Sequence, residues 1–270
     1  MFASVGDDTR IAPSAKSASA VLALFVFESD GDSLRVAIPR PEIQIVARFG
    51  PSARDGVDVH ALGVREKVHR KVIRRGQRAV TARLQLGAPE AVLGVPGSAI
   101  AGRIVALEDL WGEPTTRQLR AELADARDSF QAAAILESAI ADRLVATERR
   151  DGHAQLALAA ADRLTSANVN AVADDLGVSE RHLRRVFREA VGVSPKAFAK
   201  LTRFHRALRA AREDTRSSWA SIAAATGYYD QAHLIAEFRA IAGVTPRALL
   251  GELRGETGRA HSRSDERSST

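Results

Sequence analysis

The 270-residue chain sets 39 Lys and Arg against 33 Asp and Glu, a net charge of +6, with 45% hydrophobic residues and no cysteine. That balance is ordinary for one or two globular domains, and it excludes disulfides, thiolate zinc sites and cysteine nucleophiles. The longest apolar run, Ala20 to Phe27, is too short to span a bilayer, and MFASVGDDTR lacks the basic start and apolar core of a signal peptide. A cytoplasmic protein with no membrane partner is expected.

From Ala20 to about Leu86 the apolar residues fall into short runs: AVLALFVFE, LRVAI, EIQIVARF, VDVHALGV, KVI and AVTARLQL. Gly and Pro separate them, at Gly31, Pro39, Pro41, Gly50-Pro51, Gly56, Gly63, Gly76 and Gly87. Short strands with turn residues between them predict a small barrel or sandwich. Phe25, Phe27, Ile45, Phe49 and Trp111 either line an effector pocket in it or pack its core. His60, Glu66 and His69 could suggest a metal site, but their spacing is not that of paired-histidine ligands, so no metal and no cofactor is expected.

From Arg117 to Val145 the period becomes helical, with Leu119, Leu123, Phe130, Ala134, Leu136, Ile140 and Leu144 spaced mainly by three or four. These helices either pair with a second subunit, giving a homodimer, or pack on the β-rich part. The polar stretch Thr147 to Gln155 reads as a linker. Residues 1–150 then form a sensor or dimerisation domain, 151–253 a helical domain, and 254–270 a polar tail predicted to be disordered.

The helical domain contains a repeat. VFREAVGVSPKAF, from Val186, aligns with EFRAIAGVTPRAL, from Glu237, at an offset of 51; upstream, Ala173 with Ala223 and Gly177 with Gly227 align at 50. One residue is therefore inserted in the second copy between Gly227 and Phe238. Each copy has the logic of a helix-turn-helix. Val172 and Leu176 bury one face of a first helix, Ala173 permits a close crossing, Gly177 suits a positive φ in the turn, and Ser179 caps the second helix. On that helix Leu183, Val186 and Phe187 form the buried stripe. Arg181, Arg184, Arg185 and Arg188 share another face, at i, i+3, i+4 and i+7. An arginine face behind a tight turn fits the major groove of double-stranded DNA, where arginine pairs bidentately with guanine. The bland alternative is a solvated basic face; the turn and the repeat weigh against it. The helix-turn-helix units are predicted over about 169–188 and 219–239, with a joining helix over 195–212.

The string GYYDQAHL from Gly227, then Phe238-Arg239, Gly243 and Thr245-Pro246, resembles the C-terminal signature of the AraC/XylS family of transcription regulators; Gly177, Ser179, Leu183, Phe187, Gly192 and Ser194-Pro195 resemble its preceding half. The resemblance covers Leu156 to Leu250. It implies a seven-helix, two-lobed, all-α double helix-turn-helix domain, which together with the β-barrel-like N-terminal domain and its following helices makes an α+β protein. It also implies sequence-specific DNA binding rather than enzymatic activity, RNA polymerase as a partner, a nucleoid-associated location, and a small-molecule effector held by the N-terminal domain. Carried onto this chain, the DNA contacts would be Ser179, Arg181, His182, Arg184, Arg185 and Arg188 in the first lobe. In the second they would be Tyr229, Asp230, Gln231 and His233, with Arg203 of the joining helix on phosphate. Ile235-Ala236 stands where many relatives carry reaching polar side chains, so the first lobe is expected to dominate specificity. The segment Gly87 to Gly112 resembles the sensor-type domain of a subgroup of the family. An enzyme delivered to DNA is the competing reading, but no Ser-His-Asp set, phosphate loop or metal triad supports it.

Overall fold

The computed structural model describes residues 8–50, 53, 56–145 and 152–255. Its N-terminal part is an antiparallel sheet of β1 (Thr9–Ile11), β2 (Val21–Glu28), β4 (Gln44–Phe49), β5 (Val57–Leu62), β7 (Arg78–Leu84) and β8 (Ile104–Ala106) in the order β1-β2-β7-β4-β5-β8. β3 (Ser33–Ala37) and β6 (His69–Ile73) form a separate two-stranded ribbon. The six apolar runs read from the sequence are β2 to β7, while β1 and β8, three residues each, carry too little pattern to be seen. The barrel-like expectation is corrected: among the described residues β3 and β6 pair with one another apart from the larger sheet, and β1 and β8 are its two unpaired edges, so the sheet is open.

Strand alternation divides the sheet into two unlike faces. Leu24, Val26, Ile45, Ala47, Val57, Val59, Ala61, Val80, Ala82 and Leu84 are buried on one. α3 (Glu113–Ala124) and α4 (Ser129–Val145) cover that face with Leu119, Leu123, Ala132, Ala133, Leu136 and Ile140. The predicted single helical zone is thus two helices. The break falls at Asp128, whose carboxylate accepts from the Gln131 N–H at 2.7 Å. Phe130, one of the residues at helical spacing, is 58% exposed at the start of α4. The short α1 (Pro89–Leu93) and α2 (Glu108–Trp111) complete the layer; the Trp111 indole N–H donates to the Val92 carbonyl at 2.9 Å. The other face, carrying Phe25, Gln44, Thr81 and Arg83, looks toward the ribbon.

The C-terminal part is α5 (Gly152–Arg163), α6 (Val169–Asp175), α7 (Glu180–Val191), α8 (Pro195–Glu213), α9 (Trp219–Thr226), α10 (Gln231–Ala242) and α11 (Pro246–Leu253). Each helix from α6 onward starts at a side-chain acceptor on the backbone: Asn168, Ser179, Ser194, Ser218, Asp230 and Thr245. The proposed linker overlaps α5, which begins at Gly152, and residues 146–151 lie outside the described residues, as does most of the predicted tail.

Both lobes rest on the N-terminal part. The core of the first, around Leu183, Phe187 and Phe198, is continuous with that of the sheet and its helices. The second has its own core around Phe204, Leu208, Leu234 and Phe238, with Val36, Ile38 and Val68 of the ribbon region against it. The Val68 N–H donates to the Ile241 carbonyl at 2.9 Å, and Arg70 reaches Glu252 at 2.8 Å and the Ala242 carbonyl at 2.9 Å. Two packed junctions therefore join the C-terminal part to the N-terminal part.

Candidate nucleic-acid interface

The two helix-turn-helix units are built alike. α6 crosses α7 through buried Val172 and Ala173; α9 crosses α10 through buried Ile222 and Ala223. Gly177 and Gly227 occupy the turns at φ +66° and +84°, which a side chain would strain. The N–H of Val178 donates to the Ala173 carbonyl at 3.0 Å, and that of Tyr228 to the Ala223 carbonyl at 3.0 Å, so Val178 and Tyr228 are equivalent. The caps Ser179 and Asp230 are equivalent as well, since α7 and α10 start and end 51 residues apart. The inserted residue is therefore Tyr229. It stands 93% exposed immediately before α10, whereas Tyr228 turns into the core.

On α7 the buried stripe is Leu183, Val186, Phe187 and Val191. Arg181, Arg184, Arg185 and Arg188 are exposed on the remaining surface and His182 is half-buried. Sequence reading missed that this face is interleaved with its own carboxylates: Arg184 Nε donates to Glu180 at 2.6 Å, and Arg185 reaches Glu189 at 3.2 Å. Such i,i+4 pairs are worth a few tenths of a kcal/mol in solvent. A phosphate or a guanine edge can displace them. Glu180 and Glu189 stand four residues from their arginines, a spacing legible in the sequence. Arg181 and Arg188 form no ion pair among the described residues.

In the second lobe Tyr229, Asp230, Gln231 and His233 are all exposed at the start of α10. Two of them are occupied locally. The Asp230 carboxylate accepts from the His233 N–H at 2.7 Å, and His233 Nδ1 accepts from the Tyr229 N–H at 3.4 Å. Ser179 likewise accepts from the His182 N–H at 3.2 Å. These three residues hold the reading helices' first turns, leaving Tyr229 and Gln231 as the outward groups.

Arg203 is not where the sequence suggested. It points inward from α8, pairs with Glu237 of α10 at 2.6 Å and lies 4.9 Å from the centre of the Tyr228 ring. Glu237 is only 8% exposed. Burial alone would lower the guanidinium pKa, but the hydrogen bond and charge of Glu237 outweigh it and the net shift is upward. Arg203 ties α8 to α10 rather than presenting a free charge to phosphate.

Of the five effector-pocket candidates, Phe25 lines a cavity between the sheet and the ribbon; Phe27, Ile45, Phe49 and Trp111 are buried packing residues that do not line it. His60 lies on β5 and His69 on β6, with Glu66 in the loop between those strands, and no group of three such side chains converges among the described residues. No described helix is long and apolar enough to cross a membrane.

A pair of capped helix-turn-helix units joined by one long helix defines a DNA-binding protein. Residues 172–252 match the family model described as a helix-turn-helix domain. No curated protein matches the chain by sequence. Three structures of ToxT from Vibrio cholerae are similar in outline. The first, bound to an unsaturated fatty acid, is 10% identical over 86% of this chain and 95% of that one, with a TM-score of 0.43. The second is 8% identical over 84% and 96%, at 0.40, and the third 11% identical over 85% and 96%, at 0.39.

Proposed function

We propose that the chain reads a specific duplex by placing α7 and α10 in successive major-groove faces, about one helical turn apart. The observation that carries this is the repetition of the supporting frame, with equal-length reading helices capped at equivalent residues on either side of α8. The first lobe supplies base readout through Arg181, Arg184, Arg185 and Arg188. The second, with Tyr229 and Gln231 outward and Ile235 half-buried, adds fewer base contacts and anchors the register. The N-terminal part controls this activity through a small effector, and RNA polymerase is the partner through which bound protein acts. Phe130 on α4 is the group that a homodimer contact through these helices would cover. The protein acts in the cytoplasm, on the nucleoid, and not as an enzyme.

Selection of duplexes from a random pool by the full chain, followed by competition in solution, tests this. The enriched duplex should bind about a thousandfold or more tighter than random duplex, and binding should weaken steeply with salt as phosphate counterions are released. Equal affinity for both overturns it.

A further inference from the structure

A cavity of about 260 Å³ lies where the polar sheet face, the β3–β6 ribbon and the second lobe meet. Six cationic side chains line it: Arg35, Arg40, Arg65, Lys67, Arg83 and Arg212. Asp8, Glu42 and Glu252 are its only lining carboxylates among the described residues. Two of these are already engaged. Asp8 takes Arg35 Nη2 at 2.7 Å through both oxygens, and Glu252 is drawn to Arg70, which does not line the cavity. Positive charge is thus left in excess in a partly closed space.

The excess is not relieved by hydrogen bonding. Arg83 Nε and Arg35 Nη1 are buried without an acceptor, and one oxygen of Glu42 is buried without a donor. Buried donors without partners are costly, those on charged groups most of all. Arg83 sits over the Phe25 ring, its guanidinium carbon 3.9 Å from the ring centre, and Arg35 over Phe27 at 4.2 Å. The rings hold the guanidinium groups in place, and the N–H groups still without an acceptor are at the guanidinium edge, where carboxylate and phosphate oxygens bind in the plane. Burial, then the neighbouring Arg40, pushes Arg83 down to about 10, so it is still charged at neutral pH.

We infer that this cavity binds a compact oxyanion carrying two or more negative charges. The volume falls just below the roughly 300 Å³ at which small-molecule pockets usually begin, which favours a small, highly charged molecule over a long apolar one. Such an anion would accept from Arg83 and Arg35 on the sheet and ribbon while facing Arg212 near the end of α8. It would therefore fasten the second lobe to the N-terminal part. That gives the proposed effector a site and a chemical class. The regulatory consequence rests on the DNA-binding reading above, but the binding itself does not.

Calorimetric titration of the full chain with citrate, with pyrophosphate and with acetate tests it without DNA. Citrate or pyrophosphate should bind saturably in the millimolar range or tighter, and acetate much more weakly; which of the two binds tighter tells carboxylate from phosphate chemistry. Arg83→Gln should weaken binding about tenfold or more, the loss of one charge-assisted hydrogen-bonding group. If that variant does not fold, Arg212→Gln, on an exposed residue, should weaken it severalfold. Arg239→Gln, on the exposed surface of α10, should leave anion binding unchanged. No saturable heat with either polyanion, equal binding of acetate, or indifference to both Arg83→Gln and Arg212→Gln overturns the inference. A failure of duplex selection with anion binding intact would instead count against the DNA reading.

Discussion

Gly97 and Gly192 meet backbone to backbone. A Cβ on Gly192 would lie 2.9 Å from the Gly97 carbonyl oxygen, and one on Gly97 would lie 3.0 Å from the Gly192 nitrogen. Gly192 is the left-handed C-cap of the first reading helix, and Gly97 opens the 3-10 turn Gly97–Ile100 of the N-terminal part. The same turn places Ser98 and Ala99 beside Arg184, Arg185 and Arg188 along one groove. The N-terminal part thus touches the base of the reading helix directly.

Gly97→Ala tests that junction, because Gly97 is not in the left-handed region and the substitution adds only a clash with backbone. Stability should fall by about 1–3 kcal/mol, as for overpacking a close contact, measured by urea unfolding. An unchanged midpoint would show that the two parts do not press on each other there.

Arg203→Ala should act on stability and not on sequence preference. It leaves Glu237 charged and buried without its partner, at a cost of about 3 kcal/mol. Thermal unfolding and duplex competition on the same variant separate the two effects. A variant of normal stability with uniformly weaker binding to all duplexes would restore the phosphate role.

The junction with the second lobe should be sensitive to acid. His205 on α8 donates from Nε2 to the Pro39 carbonyl at 2.5 Å, and burial, then Arg40, pushes its pKa down to about 4 from 6.5. The folded pKa is depressed, so the unfolded chain takes up the proton first. Stability is full above about pH 6.5 and is lost as pH falls toward 4, at up to about 1.4 kcal/mol per pH unit. His205→Gln should flatten this part of the profile; a variant that tracks the parent through pH 6.5 to 4 would show that the imidazole is not the cause.

Arg184→Ala should cost about 1–3 kcal/mol in specific binding and relax preference at one or two base pairs. Competition against single-base variants of the selected duplex reads this out. Equal losses on every variant would move Arg184 from the reading face to the phosphate backbone.

The C-terminal architecture was legible because local rules govern it. The glycine at each turn, the Ser, Asp and Thr caps and the buried stripe of Leu183, Val186 and Phe187 all act within a few residues of one another. The joining helix, expected over 195–212, spans Pro195–Glu213. What the sequence could not show depends on distant partners. Arg203 meets Glu237 34 residues away, and the cavity collects Arg35, Arg83 and Arg212 from three elements. The unbroken apolar run of β2 also hid its alternation, so Phe25, on the cavity face, was grouped with Ile45 and Phe49, which belong to the opposite one.

The central claim, two reading helices on one duplex, is tested most directly by hydroxyl-radical footprinting of the full chain on its selected site. Two protected blocks should lie about 10.5 bp apart on one side of the duplex. Arg184→Ala should weaken one block and Tyr229→Ala the other. A single block, or protection spread evenly along any duplex, would contradict the account.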